Sequence, residues 1–243
     1  MTISPDFSVA STTVTAALAA FLLIAEPWLG RRAYGSLARR RDAEPRALVR
    51  YFTFVLGAWW AYAAVAVAAL LLSPGVDAAD LGITAPERPV YTIVLIILFA
   101  AVTVASGRNF RGLAEQGKNV PGLSSVEAML PRTGKERGLA VAVAVTDGIC
   151  AELVYRGLLI AFGIGVLGLN SYLAVALSAV VYALAGSYQG RQGMAAFALF
   201  GVFFGGLYLA TGSLLLPVVA HVALSLRDLT LPAPDKLRAA PAA

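Results

Sequence analysis

The sequence predicts an all-α fold: a polytopic transmembrane helical bundle of about seven membrane-spanning helices, N-out and C-in. Three observations carry this reading. Of 243 residues, 59% are hydrophobic and only 14% charged, with a mean hydropathy of +0.76. Soluble domains run near 45–50% apolar and about 25% charged, so this chain has too little polar surface to coat a water-facing globule. Several apolar runs approach the roughly 20 residues that cross a bilayer core of about 30 Å, and none alternates polar with apolar residues as a β-barrel strand does. The basic residues are also confined almost entirely to one set of loops.

The apolar runs lie near 10–30, 50–73, 89–106, 138–163, 166–186, 192–210 and 213–229. The first is preceded by "MTISPDFSV", without Lys or Arg, and continues into Glu26 and Pro27, so it reads as a retained helix rather than a cleaved signal. The second carries Trp59 and Trp60 in mid-span. The loop after the first run holds Arg31, Arg32, Arg39, Arg40, Arg41, Arg46 and Arg50. The loop after the third holds Arg108, Arg111, Lys118, Arg132, Lys135 and Arg137; Arg191, Arg227, Lys236 and Arg238 fall on the same side. Of 19 Lys and Arg residues, that leaves only Arg88 opposite and Arg156 within a span. The split sets the orientation by the positive-inside bias. It also accounts for the net charge of +5 without nucleic acid as a partner. The expected partners are membrane lipids, above all the anionic cytoplasmic leaflet, and the expected location is a bacterial plasma membrane. The chain divides into an N-terminal tail (1–9), N-terminal transmembrane helices with basic loops (10–129), a core (130–229) and a C-terminal tail (230–243). That last segment ends in "RAAPAA", without a cysteine for prenylation.

Charges inside the membrane demand an explanation, since each costs roughly 2.5–3.5 kcal/mol on insertion scales. The stretch "CAELVYRGLL" (150–159) sets Glu152 and Arg156 four residues apart on one helix face, with the acid N-terminal, the better order for a pair. Asp147, five residues before Glu152, either joins that network or stays near the head groups. His221 is the only histidine and lies in the last span, with Ser225 one turn later on the same face. "SAVVYALAGSYQG" (178–190) ends its span in small residues, with Tyr188 read as a membrane-interface aromatic. Cys150 is the only cysteine, so no internal disulfide forms, and a thiol packed between helices is the simplest reading of it. A zinc site would need His221, Glu152 and Cys150 or Asp147 to converge, so no cofactor and no metal is expected.

In their order and spacing, these three stretches resemble the motifs of the CPBP family, the CAAX-protease and bacteriocin-processing group of intramembrane endopeptidases, and its type II CAAX prenyl endopeptidase-like members. "AELVYRG" matches the first motif with Glu152, Arg156 and Gly157; "YALAG" matches the second with Tyr182; "HVALS" matches the third with His221. The resemblance covers roughly 130–229 and implies an intramembrane site built from Glu152, Arg156, Tyr182, His221 and Ser225. It also implies that three family residues are replaced. Ala151 stands where the water-activating glutamate belongs, Gly186 where the first histidine belongs, and Ser225 where Asn or Asp belongs. Losing a general base typically costs about 10²–10⁴-fold and an oxyanion donor about 10²–10³-fold. Two readings follow: an endopeptidase acting on membrane-delivered or lipidated peptides, or a pseudoprotease that binds such a peptide uncut. The second predicts a gain of cleavage when Ala151→Glu, Gly186→His and Ser225→Asn are combined. A third reading, from another class, is a small-molecule membrane carrier with the Glu152–Arg156 pair on its path.

Overall fold

The structure is a computed structural model that describes residues 3–231 apart from 117, 119 and 121. Most of the expected C-terminal tail, from residue 232, lies outside the described residues. Helix α1 (Val9–Arg40) is followed by α2 (Ala47–Leu71), α3 (Pro89–Glu115) and the short α4 (Leu123–Val126). Next come α5 (Gly134–Ala151), a π-helical segment (Glu152–Leu158) and α6 (Leu159–Gly165). The chain ends in α7 (Ser171–Ala185), a 3-10 turn (Gly186–Gln189), α8 (Gly190–Thr211) and α9 (Leu215–Leu229). Each of the seven apolar segments is thus helical. By length and composition, five stretches among the described residues are long and apolar enough to cross a membrane: Val9–Arg40, Ala47–Leu71, Pro89–Glu115, Gly134–Gly165 and Ser171–Thr211. The last is counted as one although it folds back on itself at the 3-10 turn. Helix α9, with 15 residues, is shorter than a straight crossing needs.

Two helices outrun their apolar segments. Helix α1 continues from the expected end near 30 to Arg40, and α3 from 106 to Glu115. Arg and Ala hold a helix well, so the backbone stays regular after the hydropathy falls. Arg31, Arg32, Arg39 and Arg40 are therefore helical rather than looped. Helix α3 shows what surrounds the bundle: Val90, Ile93, Val94, Ile97, Leu98 and Val102 are all exposed along it. A row of large apolar side chains of this kind suits lipid and not water.

The expected N-terminal tail is tied down from Asp6. The Asp6 amide donates to the Gly75 carbonyl at 2.9 Å, and the Ser8 amide to Ser73 Oγ at 2.7 Å. Ser8 then caps α1 by accepting from the Ser11 amide. Arg41 also departs from its expected place among lipid-facing basic residues. It is 6% exposed and grips Glu136 with both guanidinium nitrogens at 3.0 Å. Glu136 belongs in turn to the capping box that Thr133 builds at the start of α5. This fork-to-fork pair links the end of α1 to the helix that carries the acidic motif.

Small residues set the remaining distances. Gly201 and Gly205 on α8 face Ala179 and Val175 on α7; a Cβ on either glycine would come within 2.9 Å of them. On α5, a Cβ at Gly148 would lie 2.4 Å from Val222 Cγ2 and 2.8 Å from the Val222 amide nitrogen on α9. That contact fixes the height of His221, the residue before Val222. Gly148→Ala is expected to cost about 1–3 kcal/mol by overpacking. A depressed unfolding midpoint in detergent checks this, and an unchanged midpoint would contradict so close an approach.

Candidate functional site

The site starts from the π-helical segment. Seven residues, Glu152–Leu158, wind with an extra residue per turn inside an otherwise α-helical rod, a distortion that often marks functional sites. Both charges of the first motif sit on it. Glu152 is 0% exposed and Arg156 1% exposed, and Arg156 Nη1 donates to Glu152 Oε1 at 3.0 Å. The guanidinium also donates through Nη2 to the Phe200 carbonyl at 3.3 Å and is stacked on Tyr182, with Cζ 4.4 Å from the ring centre. Its charge is thereby distributed over a carboxylate, a backbone oxygen and an aromatic face.

His221 reaches the same carboxylate from α9. Its Nδ1 donates to Glu152 Oε1 at 2.7 Å, and its ring lies flat against Phe204 at 5.0 Å between centres. An acceptor-only carboxylate on Nδ1 requires the proton there, which directs Nε2 the other way. At Nε2 the imidazole meets Asp147 Oδ2 at 3.4 Å and the Tyr182 hydroxyl at 3.5 Å. Ser225 Oγ donates to the same Asp147 oxygen at 3.4 Å. Of the open alternatives for Asp147, the structure realises the network.

Beyond Nε2 lies a cavity of about 250 Å³. Asp147, Tyr182, His221 and Ser225 line it; Glu152 and Arg156 do not, and stand behind His221. The five residues expected from sequence are therefore brought together, but in two layers. Glu152 and Arg156 hold the histidine, whereas Tyr182, His221 and Ser225 face the space. Asp147 is an acceptor-only carboxylate as well, so a tethered imidazole in this position carries a proton at Nε2 that it can give up and take back. Among the described residues, no group of three or more His, Cys, Asp or Glu is placed to hold a metal ion.

The family model described as type II CAAX prenyl endopeptidase Rce1-like matches residues 134–226. Those residues form an Rce1-like domain. No match was found among curated proteins or among solved structures. The Rce1-like domain runs from the capped start of α5 to Leu226 and takes in the whole Glu152–Arg156–His221–Asp147 network. Two positions at which the resemblance implies a replaced residue are closed by packing. Ala151 is fully buried in an apolar cluster with Leu18, Leu22, Ala66 and Ala69. Gly186 touches Phe197 so closely that a Cβ would lie 2.6 Å from ring Cγ and 2.9 Å from the Gly193 carbonyl. The combined Ala151→Glu, Gly186→His and Ser225→Asn change, expected from sequence to restore cleavage, therefore has no room at 186 and an apolar setting at 151.

Three further residues bear on the same cavity. Tyr188, read as an interface aromatic, lines the cavity, packs on Tyr34 and accepts from Gln189 Nε2 at 2.7 Å. Cys150 is fully buried and does not line the cavity, in keeping with a thiol packed between helices. Glu26, on α1 and outside the Rce1-like domain, does line it. Sequence reasoning passed over Glu26 as the end of the first span, although the rule that singled out Glu152 applies equally to it.

Proposed function

We propose that this integral membrane protein is a pseudoprotease of the Rce1-like type, which receives a membrane-delivered or lipidated peptide in the cavity beside His221 and does not cut it. We place it in a bacterial plasma membrane with its amino terminus outside, so that the basic segments after α1 and α3 meet the anionic cytoplasmic leaflet. The observation that carries the reading is the filling of position 186 by Phe197. A second histidine has no room at 186, and the carboxylate expected at 151 is replaced by a methyl group in an apolar cluster. Peptide hydrolysis needs a base on the water and donors on the developing oxyanion together. What remains is a held histidine at the wall of a largely apolar chamber, a surface suited to binding.

The test uses the full-length protein in lipid vesicles with fluorescent peptides, prenylated and unprenylated. Saturable binding without fragments, in wild type and His221→Ala alike, is expected. Fragments made by wild type and lost in His221→Ala would establish an active endopeptidase instead, and a lack of any binding would also overturn the proposal.

A further inference from the structure

The charges around the cavity do not balance. Its acidic lining residues are Glu26, Asp147 and Asp228, and among the described residues no Lys or Arg lines it. Two of the acids have partners. Asp228 accepts from Arg227 Nε at 2.7 Å, and Asp147 faces His221 and Ser225. Arg156 is already committed to Glu152 and lies outside the cavity. Glu26 has no ion pair among the described residues, and its Oε2 is buried without a hydrogen-bond partner. A buried carboxylate oxygen without a partner is costly, and a cation delivered by a ligand to this carboxylate would offset that cost.

The neighbouring walls suit such a cation. Tyr51, Trp59, Tyr62 and Tyr188 line the same space as Glu26. Trp59 and Tyr62 meet edge to face at 5.7 Å, so their rings stand at a steep angle to one another. Aromatic faces set at such angles around a carboxylate are the recurring solution for binding an ammonium group. The volume of about 250 Å³ falls below the range for drug-sized ligands and fits one head group or side chain on an apolar stem.

From this charge complementarity we infer that the cavity binds an ammonium group carried on an apolar stem, with Glu26 as counter-ion and Trp59 and Tyr62 as its aromatic walls. The inference rests on the cavity being the occupied site, as in the function proposed above, but not on the occupant being a peptide. Either a lysine side chain of a peptide or a free alkylamine carries the required chemistry.

Full-length protein in non-ionic maltoside micelles is titrated calorimetrically with hexylammonium and with 1-hexanol, and separately with a peptide containing lysine or norleucine at one position. Hexylammonium is expected to bind wild type at least tenfold more tightly than hexanol. Glu26→Gln is expected to remove that preference while leaving the weak hexanol binding unchanged. Trp59→Leu, which keeps the carboxylate, lowers hexylammonium affinity several-fold and covers the case in which Glu26→Gln does not fold. Equal binding of amine and alcohol to wild type, or an undiminished preference in a folded Glu26→Gln, would overturn the inference. The peptide pair separates the sources: a lysine preference that Glu26→Gln abolishes identifies a peptide, whereas hexylammonium binding with no peptide binding identifies a free amine and overturns only the function proposed above. Equal affinity for both peptides with no amine binding overturns only the present inference.

Discussion

Arg156→Met is expected to destabilise the protein by about 3–5 kcal/mol, the usual cost of removing one member of a buried ion pair. The change strands more than one group. Glu152 keeps His221 but loses its guanidinium, and its Oε2 already has no hydrogen-bond partner among the described residues. The Phe200 carbonyl loses its donor and the Tyr182 ring loses the cation stacked on it. For a chain of this length, the unfolding midpoint should fall by roughly 6–20 °C. Arg156→Lys keeps the charge but has no planar fork to reach carboxylate and carbonyl together, so it should fall in between. Adding Glu152→Gln to Arg156→Met should recover part of the loss, because no unpaired carboxylate then stays buried. A midpoint for Arg156→Met equal to wild type would show that the pair contributes nothing to the fold.

Gly186→His is expected to abolish the folded protein rather than to revive a protease. Its Cβ alone would meet Phe197 Cγ at 2.6 Å and the Gly193 carbonyl at 2.9 Å, and the imidazole would need space beyond that. A backbone carbonyl cannot rotate aside as a flexible side-chain tip can. Combined with Ala151→Glu, which sets a carboxylate among Leu18, Leu22, Ala66 and Ala69, the cost reaches several kcal/mol more. Native proteins are stable by only about 5–15 kcal/mol, so the triple change with Ser225→Asn should give little monodisperse protein on size exclusion and no cleavage. Phe197→Ala in the Gly186→His background should return part of the folded yield by vacating the ring's volume. A well-folded triple variant that cuts peptides would refute the pseudoprotease proposal and this packing argument together.

Several features were legible in the residues alone. Glu152 and Arg156 stand out because charge in an apolar run is expensive and four-residue spacing permits pairing. His221 stands out because it is the only histidine and falls in the third motif. The Glu152–His221 contact itself has no local signal, since it joins residues 69 positions apart through the close packing of Gly148 on Val222. The π-helical winding was equally invisible, because an extra residue per turn leaves no mark in composition. The cavity wall at Tyr188 has no local signal, because a tyrosine near the end of an apolar run suits the interface as well as a cavity wall. Arg41 was misjudged because one arginine in a run of basic residues looks like its neighbours. Its buried carboxylate partner lies 95 positions away.

The Arg41–Glu136 grip has a bearing on whether residues 134–226 can stand alone. Recombination that moved residues 134–226 onto another carrier would cut a guanidinium away from the first turn of the transplanted piece. It would also bare the apolar side of Ala151 and Tyr155 that rests on the first two helices. The matched segment is thus not an autonomous unit of stability. The amino-terminal half is needed to seat the histidine that the matched segment carries.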